Sequence, residues 1–322
     1  MSEKKLKKRI GCFLCIVAAV ILSSCKGLEI ENKAEQIEEY TKQEAMIFLA
    51  NERNRYQNSY TPKIWEIKIN DTETFDRLMI RNVKDFLEEV KLLNMLAEER
   101  GVSLSSQERE FVRQMTEAYY GGLAAADISY IGCTKEDVQK MYTQYYTACK
   151  MTDIVTDSPE EDISDSEAKV IRIMQIGTED VKKAKAILKK IKIDGAGFNS
   201  MASRYSELDQ IEVELKRGEK KDLIENTAFL LEEGQVSNIL CKDGMYYIIK
   251  CTNGYDEAAT KQRKERILTA MQSLKYNEVM EPYRAQHNIV FFDKFWNELT
   301  FGNDTASTAE NFFDIYNEYR GE

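Results

Sequence analysis

The sequence predicts an α+β protein, in which a mainly helical domain that is discontinuous in the chain carries a small inserted α+β domain. Three observations predict it. Apolar residues recur at three- and four-residue spacing through the first half, and an acidic stretch containing Pro159 breaks that pattern between Thr156 and Asp165. Beyond the break, strand-like segments alternate with short helical ones until a helical period returns after Gly254. The expected divisions are 1–24 as a leader, 25–41 as a tether, 42–155 as the helical domain, 166–253 as the insert, 254–299 as a returning helix that packs on the helical domain, and 300–322 as a tail.

The leader is the first element. Lys4, Lys5, Lys7, Lys8 and Arg9 precede an uncharged apolar run, Ile10 to Leu22, which is too short for a span of about 20 residues and ends in Leu22-Ser23-Ser24-Cys25. This resembles a bacterial lipobox, which implies lipid modification of Cys25, cleavage before it, and an extracytoplasmic protein held on a membrane by its lipid. Residues 26 to 41 are polar and charged and read as a tether.

Helices come next. Glu44 to about Tyr56 is the first, and Trp65 to Ile69 alternates like a short strand. Phe75, Leu78, Met79, Val83, Phe86, Leu87, Val90, Leu93 and Leu96 define a long amphipathic helix from about Thr72, stopped at Gly101. Ser105-x-x-Glu108 and Thr134-x-x-Asp137 are capping boxes for the next ones. By helical spacing, Tyr119, Tyr120, Tyr142, Tyr145 and Tyr146 belong to the core or line a groove for unfolded polypeptide.

In the insert, Val170 to Ile176 reads as a strand, Glu179 to Lys192 as a Lys-rich helix, Phe198 to Tyr205 as a second helix and Leu223 to Leu231 as a shorter one. Val236 to Cys241 and Met245 to Cys251 form a hairpin about Asp243-Gly244, with Cys241 opposite Tyr246. In the returning helix, Ile267, Met271, Leu274 and Met280 lie on one side. The tail is polar except for Phe312, Phe313 and Ile315, and reads as loose with one short helix at most.

Composition narrows the function. The formal net charge of −10 becomes more negative without the leader, which argues against a nucleic-acid partner. Of seven cysteines, Cys12, Cys15 and Cys25 belong to the leader and lipobox. Cys133, Cys149, Cys241 and Cys251 remain and are expected as unpaired thiols, with no C-x-x-C among them. No metal spacing or phosphate loop is present, so no metal and no cofactor is expected. Glu160-Glu161 reads as solvated charge. The single histidine, His287, reads as solvated or cap-forming and not as a triad member.

The residues of the insert carry a family resemblance. They are Ala184-x-x-Ile187-Leu188, Gly197-Phe198-x-x-Met201-Ala202-x-x-Tyr205-Ser206, Lys216-Arg217-Gly218, Ala228-Phe229-x-Leu231-x-x-Gly234-Gln235-Val236-Ser237 and Tyr247-Ile248-Ile249-Lys250. Together over 168–252 they resemble a parvulin-type peptidyl-prolyl isomerase domain. The order of leader, helices, insert and return helix resembles the PrsA and SurA extracytoplasmic foldases, and it implies a helical chaperone domain with a parvulin-like insert. Such domains surround an apolar proline pocket with two histidines, a Cys or Asp, and a hydroxyl. Here Met174, Leu208 (beside Asp209) and Tyr247 match the positions of the cluster. Leu215, Ile224, Phe229 and Tyr247 match the peptide-binding wall, with Lys220 where a Met is usual. A histidine-based cluster is excluded by the composition.

The resemblance therefore implies a membrane-anchored chaperone that binds non-native exported proteins and proline-containing segments through a helical cradle, with weak or absent isomerase activity and a homodimer left open. The alternatives are an active parvulin with an atypical pocket, and a structural or ligand-binding lipoprotein.

Overall fold

The computed structural model describes residues 40–157, 163–287, 289, 291, 293–302 and 307–320. The leader, the lipobox with Cys25 and nearly all of the tether lie outside these residues. The chain divides into two compact units, one formed by 1–157 with 272–322 and the other by 158–271. The helical region is thus discontinuous. The inserted unit extends past the expected residue 253 into the returning helix.

In the first unit, α1 (Lys42–Ser59) starts at a capping box, Thr41 with Glu44. It is surrounded on all sides over 44–54. A 3₁₀ turn (Pro62–Glu66) follows where a strand is expected from the alternation. Pro62 pre-sets a helical φ, and Trp65 turns inward to stack on Phe75 at 5.6 Å. Ile67 and Ile69 stay exposed, and a lone bridge from Lys68 to Thr74 is the remnant of pairing.

Next is α2 (Phe75–Glu99), whose N-cap is Thr74 rather than Thr72. Gly101 takes a left-handed φ of 66° just past its end, a conformation glycine adopts at no steric cost. The helices α3 (Ser106–Gly122), α4 (Ala125–Ile131) and α5 (Lys135–Thr156) complete the first half, α3 and α5 with the expected capping boxes. Tyr119, Tyr142, Tyr145 and Tyr146 are buried, so four of the five tyrosines are core.

The inserted unit runs α6 (Asp165–Ala168), β1 (Val170–Thr178), α7 (Val181–Lys192), α8 (Phe198–Tyr205), β2 (Glu212–Lys216), α9 (Leu223–Ala228), β3 (Leu240–Lys242) and β4 (Met245–Asn253). The sheet order is β2-β1-β4-β3, antiparallel throughout. Strand β2 is one more than the sequence pattern suggests, with Val213 and Leu215 opposite Ile173 and Ile171. The β3–β4 hairpin has the expected register, Cys241 opposite Tyr246, with positive φ at both Asp243 and Gly244.

The returning helix, α10 (Glu257–Gln286), begins in the inserted unit. There the Thr260 hydroxyl accepts from Val170 N at 3.0 Å, and Arg263 donates to the carbonyls of Lys169 and Arg217. Its later part belongs to the helical unit, where Tyr276, Met280 and Tyr283 form the buried stripe. Leu274, expected on the apolar face, is exposed, because the stripe follows 276, 280 and 283. Glu89 of α2, itself buried, accepts from the Tyr276 hydroxyl and from Arg284 Nε and Nη2 at 2.8 and 2.7 Å. His287 caps this end: its Nδ1 lies 2.8 Å from the Tyr283 carbonyl.

The tail is the largest departure from expectation. After α11 (Asp293–Glu298), α12 (Phe312–Arg320) enters the middle of the helical core. Phe312 is fully buried, stacks on Tyr142 at 4.0 Å and meets Phe48 edge-on at 4.8 Å. Its N–H donates to Asn51 Oδ1, and its carbonyl accepts from the Tyr142 hydroxyl, both at 3.0 Å. Upstream, Asp127 Oδ1 accepts from the Ser307 hydroxyl and from the N–H groups of Thr308 and Ala309.

Cys133, Cys149 and Cys251 are buried thiols and Cys241 an exposed one. Among the described residues, no helix is long and apolar enough to cross a membrane, and no cluster of His, Cys, Asp and Glu could hold a metal ion.

Candidate functional site

The strands alternate their side chains between two layers. Met174, Ile176 and Ile248 face α7 and α8, where they pack with Ile187, Phe198 and Met201. Ile171, Ile173, Leu215 and Ile249 face α9, with Ala228, Ile224 and Phe229. Gly177 and Tyr247 are cross-strand partners, as are Gln175 and Ile249, so all four belong to the α9 layer.

This placement separates the positions matched from sequence. Tyr247 and Leu208 share the α9 side, because a Cβ on Gly177 would point there and meet Leu208 Cγ at 2.7 Å. Met174 does not join them: it is buried in the opposite layer. A shift of one residue along a strand reverses the face, and the residue of β1 on Tyr247's side is Gln175. The signal that could have found Gln175 is the pairing of Ile176 with Ile248, which fixes the parity of both strands. Gln175 is itself tied down, its Nε2 donating to the Gln210 carbonyl at 2.9 Å.

The segment carrying Leu208 is clamped onto the end of β1. Glu207 N donates to the Gly177 carbonyl at 2.8 Å, and Ser206 Oγ accepts from Gly177 N. The Glu207 carboxylate accepts from Lys183 Nζ, from Glu179 N and from the Thr178 hydroxyl at 2.6, 2.9 and 2.9 Å. The Lys183 bond, then the two others, lower its pKa to about 2. With the segment fixed at both sides, the Leu208 side chain lies against the bare α-carbon of Gly177.

Of the expected peptide-binding wall, Leu215 is buried beneath the surface and forms a floor. Ile224, Phe229 and Tyr247 are half-buried. The Arg217 guanidinium covers the Phe229 ring at 4.6 Å. The loop before α9 is held by Glu225, which is buried and accepts from the N–H groups of Gly218, Lys220 and Lys221 at 2.5, 2.7 and 2.9 Å. Burial pushes the Glu225 pKa up, but the three backbone donors outweigh it, and the carboxyl sits below its ordinary value. The Lys220 side chain points to solvent, so the position where the family has a Met contributes no apolar surface.

The α9 side is therefore an apolar surface with one half-buried hydroxyl, that of Tyr247, and one amide, that of Gln175. It can pack an apolar side chain. The single histidine of the chain, His287, belongs to the helical unit and not to the strands and helices that build this surface.

The fold and this face define a class: a helical, discontinuous domain with an inserted α+β module built on a four-stranded antiparallel sheet. A scan against models of known protein families finds no match. Over 228 residues the chain is 26% identical to the foldase protein PrsA of Streptococcus mutans, a match covering 61% of this chain and 67% of that protein. That match is a likeness to a foldase over about three fifths of this chain. Solved structures of PrsA from Streptococcus pneumoniae (18% identity, 67% of this chain and 89% of that one, TM-score 0.28) and Bacillus cereus (17%, 77% and 97%, TM-score 0.31) are also similar.

Proposed function

We propose that this protein is an extracytoplasmic chaperone of foldase type, anchored by a lipid on Cys25, whose helical unit receives non-native exported polypeptides. Its inserted unit binds proline-containing or apolar segments on the α9 side through Ile224, Phe229 and Tyr247, and isomerises X-Pro bonds weakly or not at all. The sequence match to a foldase supports the first part.

The observation that carries the second is Leu208 lying on Gly177, beside Tyr247. The barrier to rotation about a peptide bond is about 18–20 kcal/mol, and lowering it needs groups that favour the twisted imide over the planar one. A leucine cannot orient a hydrogen bond, the Gln175 amide is engaged elsewhere, and the Tyr247 hydroxyl alone is a single donor.

Two assays on residues 26–322 test the proposal: protease-free prolyl isomerisation of a model peptide, and suppression of aggregation of an unfolding client. The expected result is suppression of aggregation without acceleration over the uncatalysed tens to hundreds of seconds. Strong acceleration that Tyr247→Phe abolishes would replace this reading by that of an active isomerase using the tyrosine as its donor. Failure of both assays would leave a structural or ligand-binding lipoprotein.

A further inference from the structure

Helix α7 of the inserted unit has the sequence VKKAKAILKKIK, six lysines in 12 residues with no acidic residue among them, in a chain whose net charge is −10. Its inner face, Ala184, Ile187, Leu188 and Ile191, packs on the sheet. Its outer face presents Lys182, Lys185, Ala186, Lys189 and Lys192 to solvent, and ends at Ile193, which is 73% exposed. Two exposed acids, Glu179 and Asp194, flank its ends, and the two acids nearest its body are engaged. Asp180 caps the helix N-terminus, and Glu207 holds Lys183, which lies off the outer stripe. Among the described residues no ion pair takes up Lys182, Lys185 or Lys189. On the flank, Lys190 and Arg204 both lie over the Tyr205 ring, at 5.5 and 5.4 Å, and extend the positive surface onto α8.

We propose that this face docks on an anionic lipid bilayer. A stripe about 18 Å long is larger than the Debye length of about 10 Å at 0.1 M salt, so a surface in contact with it feels the local lysines and not the chain's overall negative charge. Clusters of four to eight basic residues suit anionic headgroups, and an exposed Ile with a central Ala adds apolar surface that can enter the headgroup layer. A lipid on Cys25 limits how far the protein can travel from the membrane; the α7 face determines which side of the inserted unit meets it. The docking needs neither the client-binding reading nor the anchor.

The test therefore omits the anchor. Residues 26–322 are sedimented with vesicles of phosphatidylcholine alone, or with about 30% phosphatidylglycerol, at about 50 and 500 mM NaCl. Binding is expected only to the anionic vesicles and only at low salt. Lys182→Gln/Lys185→Gln/Lys189→Gln should lower the partition coefficient by about 100-fold. Lys63→Gln/Lys68→Gln/Lys220→Gln, with the same change in net charge, should lower it by less than about threefold. Equal losses in the two triple variants, equal binding to neutral vesicles, or no binding at low salt would each overturn the proposal. Retention on immobilised polyglutamate without vesicle binding would overturn it too and assign the face to acidic polypeptides. The salt comparison needs no variant, so it decides the matter even if a substituted chain fails to fold.

Discussion

The two units close their cores in different ways. In the helical unit the decisive contacts join residues far apart in the chain: Asn51 and Tyr142 hold Phe312, and Asp127 holds Ser307 to Ala309. In the inserted unit both apolar layers and the Glu225 and Glu207 clamps are drawn from residues 171 to 251. The difference teaches that the helical unit depends on a distant segment for its interior, whereas the insert draws both apolar layers from one continuous stretch and borrows only edge hydrogen bonds from the start of α10. It also separates the chemistry, since the candidate peptide surface lies wholly on the locally determined unit.

The comparison is broken most directly at Phe312. Phe312→Ala removes a fully buried ring and should destabilise the helical unit by about 3–5 kcal/mol. Two-probe thermal unfolding, by circular dichroism and by hydrogen exchange of the β1 and β4 amides, should show the helical transition falling while protection of the sheet persists. A parallel loss of sheet protection would mean that the two units unfold as one.

A smaller effect is expected at Gly177. Gly177→Ala drives a methyl into Leu208 and should cost the inserted unit about 1–3 kcal/mol. Adding Leu208→Ala should recover most of that loss, measured by denaturant unfolding of the double variant. Non-additivity of the pair is the signature of their contact; simple additivity would show that Leu208 does not rest there.

The smallest effect is in the acid limb. Glu225 in the insert and Asp127 in the helical unit both have pKa values lowered on folding: burial raises each, and donated hydrogen bonds more than reverse it. A lowered folded pKa gives stability that is fully present above the unfolded value, 4.5 for Glu and 3.8 for Asp, and is lost as pH falls through the folded value. Glu225→Gln should therefore cost about 1–2 kcal/mol at pH 7 and progressively less as pH falls through the folded value of the carboxyl, with Asp127→Asn behaving alike in the other unit. A penalty that does not shrink with acid would assign it to side-chain geometry instead of charge.

Much of the fold was legible because it rests on local rules. Capping boxes at Ser105 and Thr134, the stop at Gly101 and the Asp243-Gly244 turn all depend on neighbours within a few residues. The returning helix was legible as a helix, but its inner stripe was not, since only the burial of Tyr276 and Tyr283 beside Glu89 and Glu99 shows which side turns inward. The tail was illegible because a few aromatic residues in a polar segment give no period, and their partners, Tyr142 and Asn51, lie 170 and 261 positions away.

Leu208, Tyr247, Ile224 and Phe229, matched by motif order alone, lie on one side of the sheet. Met174, matched in the same way, lies on the other side, because motif alignment does not fix strand parity and one step along β1 exchanges it for Gln175.

The 261-residue separation between Asn51 and Phe312 also sets a schedule. At chain growth of about 5–20 residues per second, roughly 13–50 s pass between the appearance of α1 and of the aromatic ring that fills its side of the core. The inserted unit, which ends within α10 by residue 271, can be finished well before then. For that interval, the helices that will form the first unit are present without their central ring, so each new copy begins its life with an unfilled interior of its own to protect.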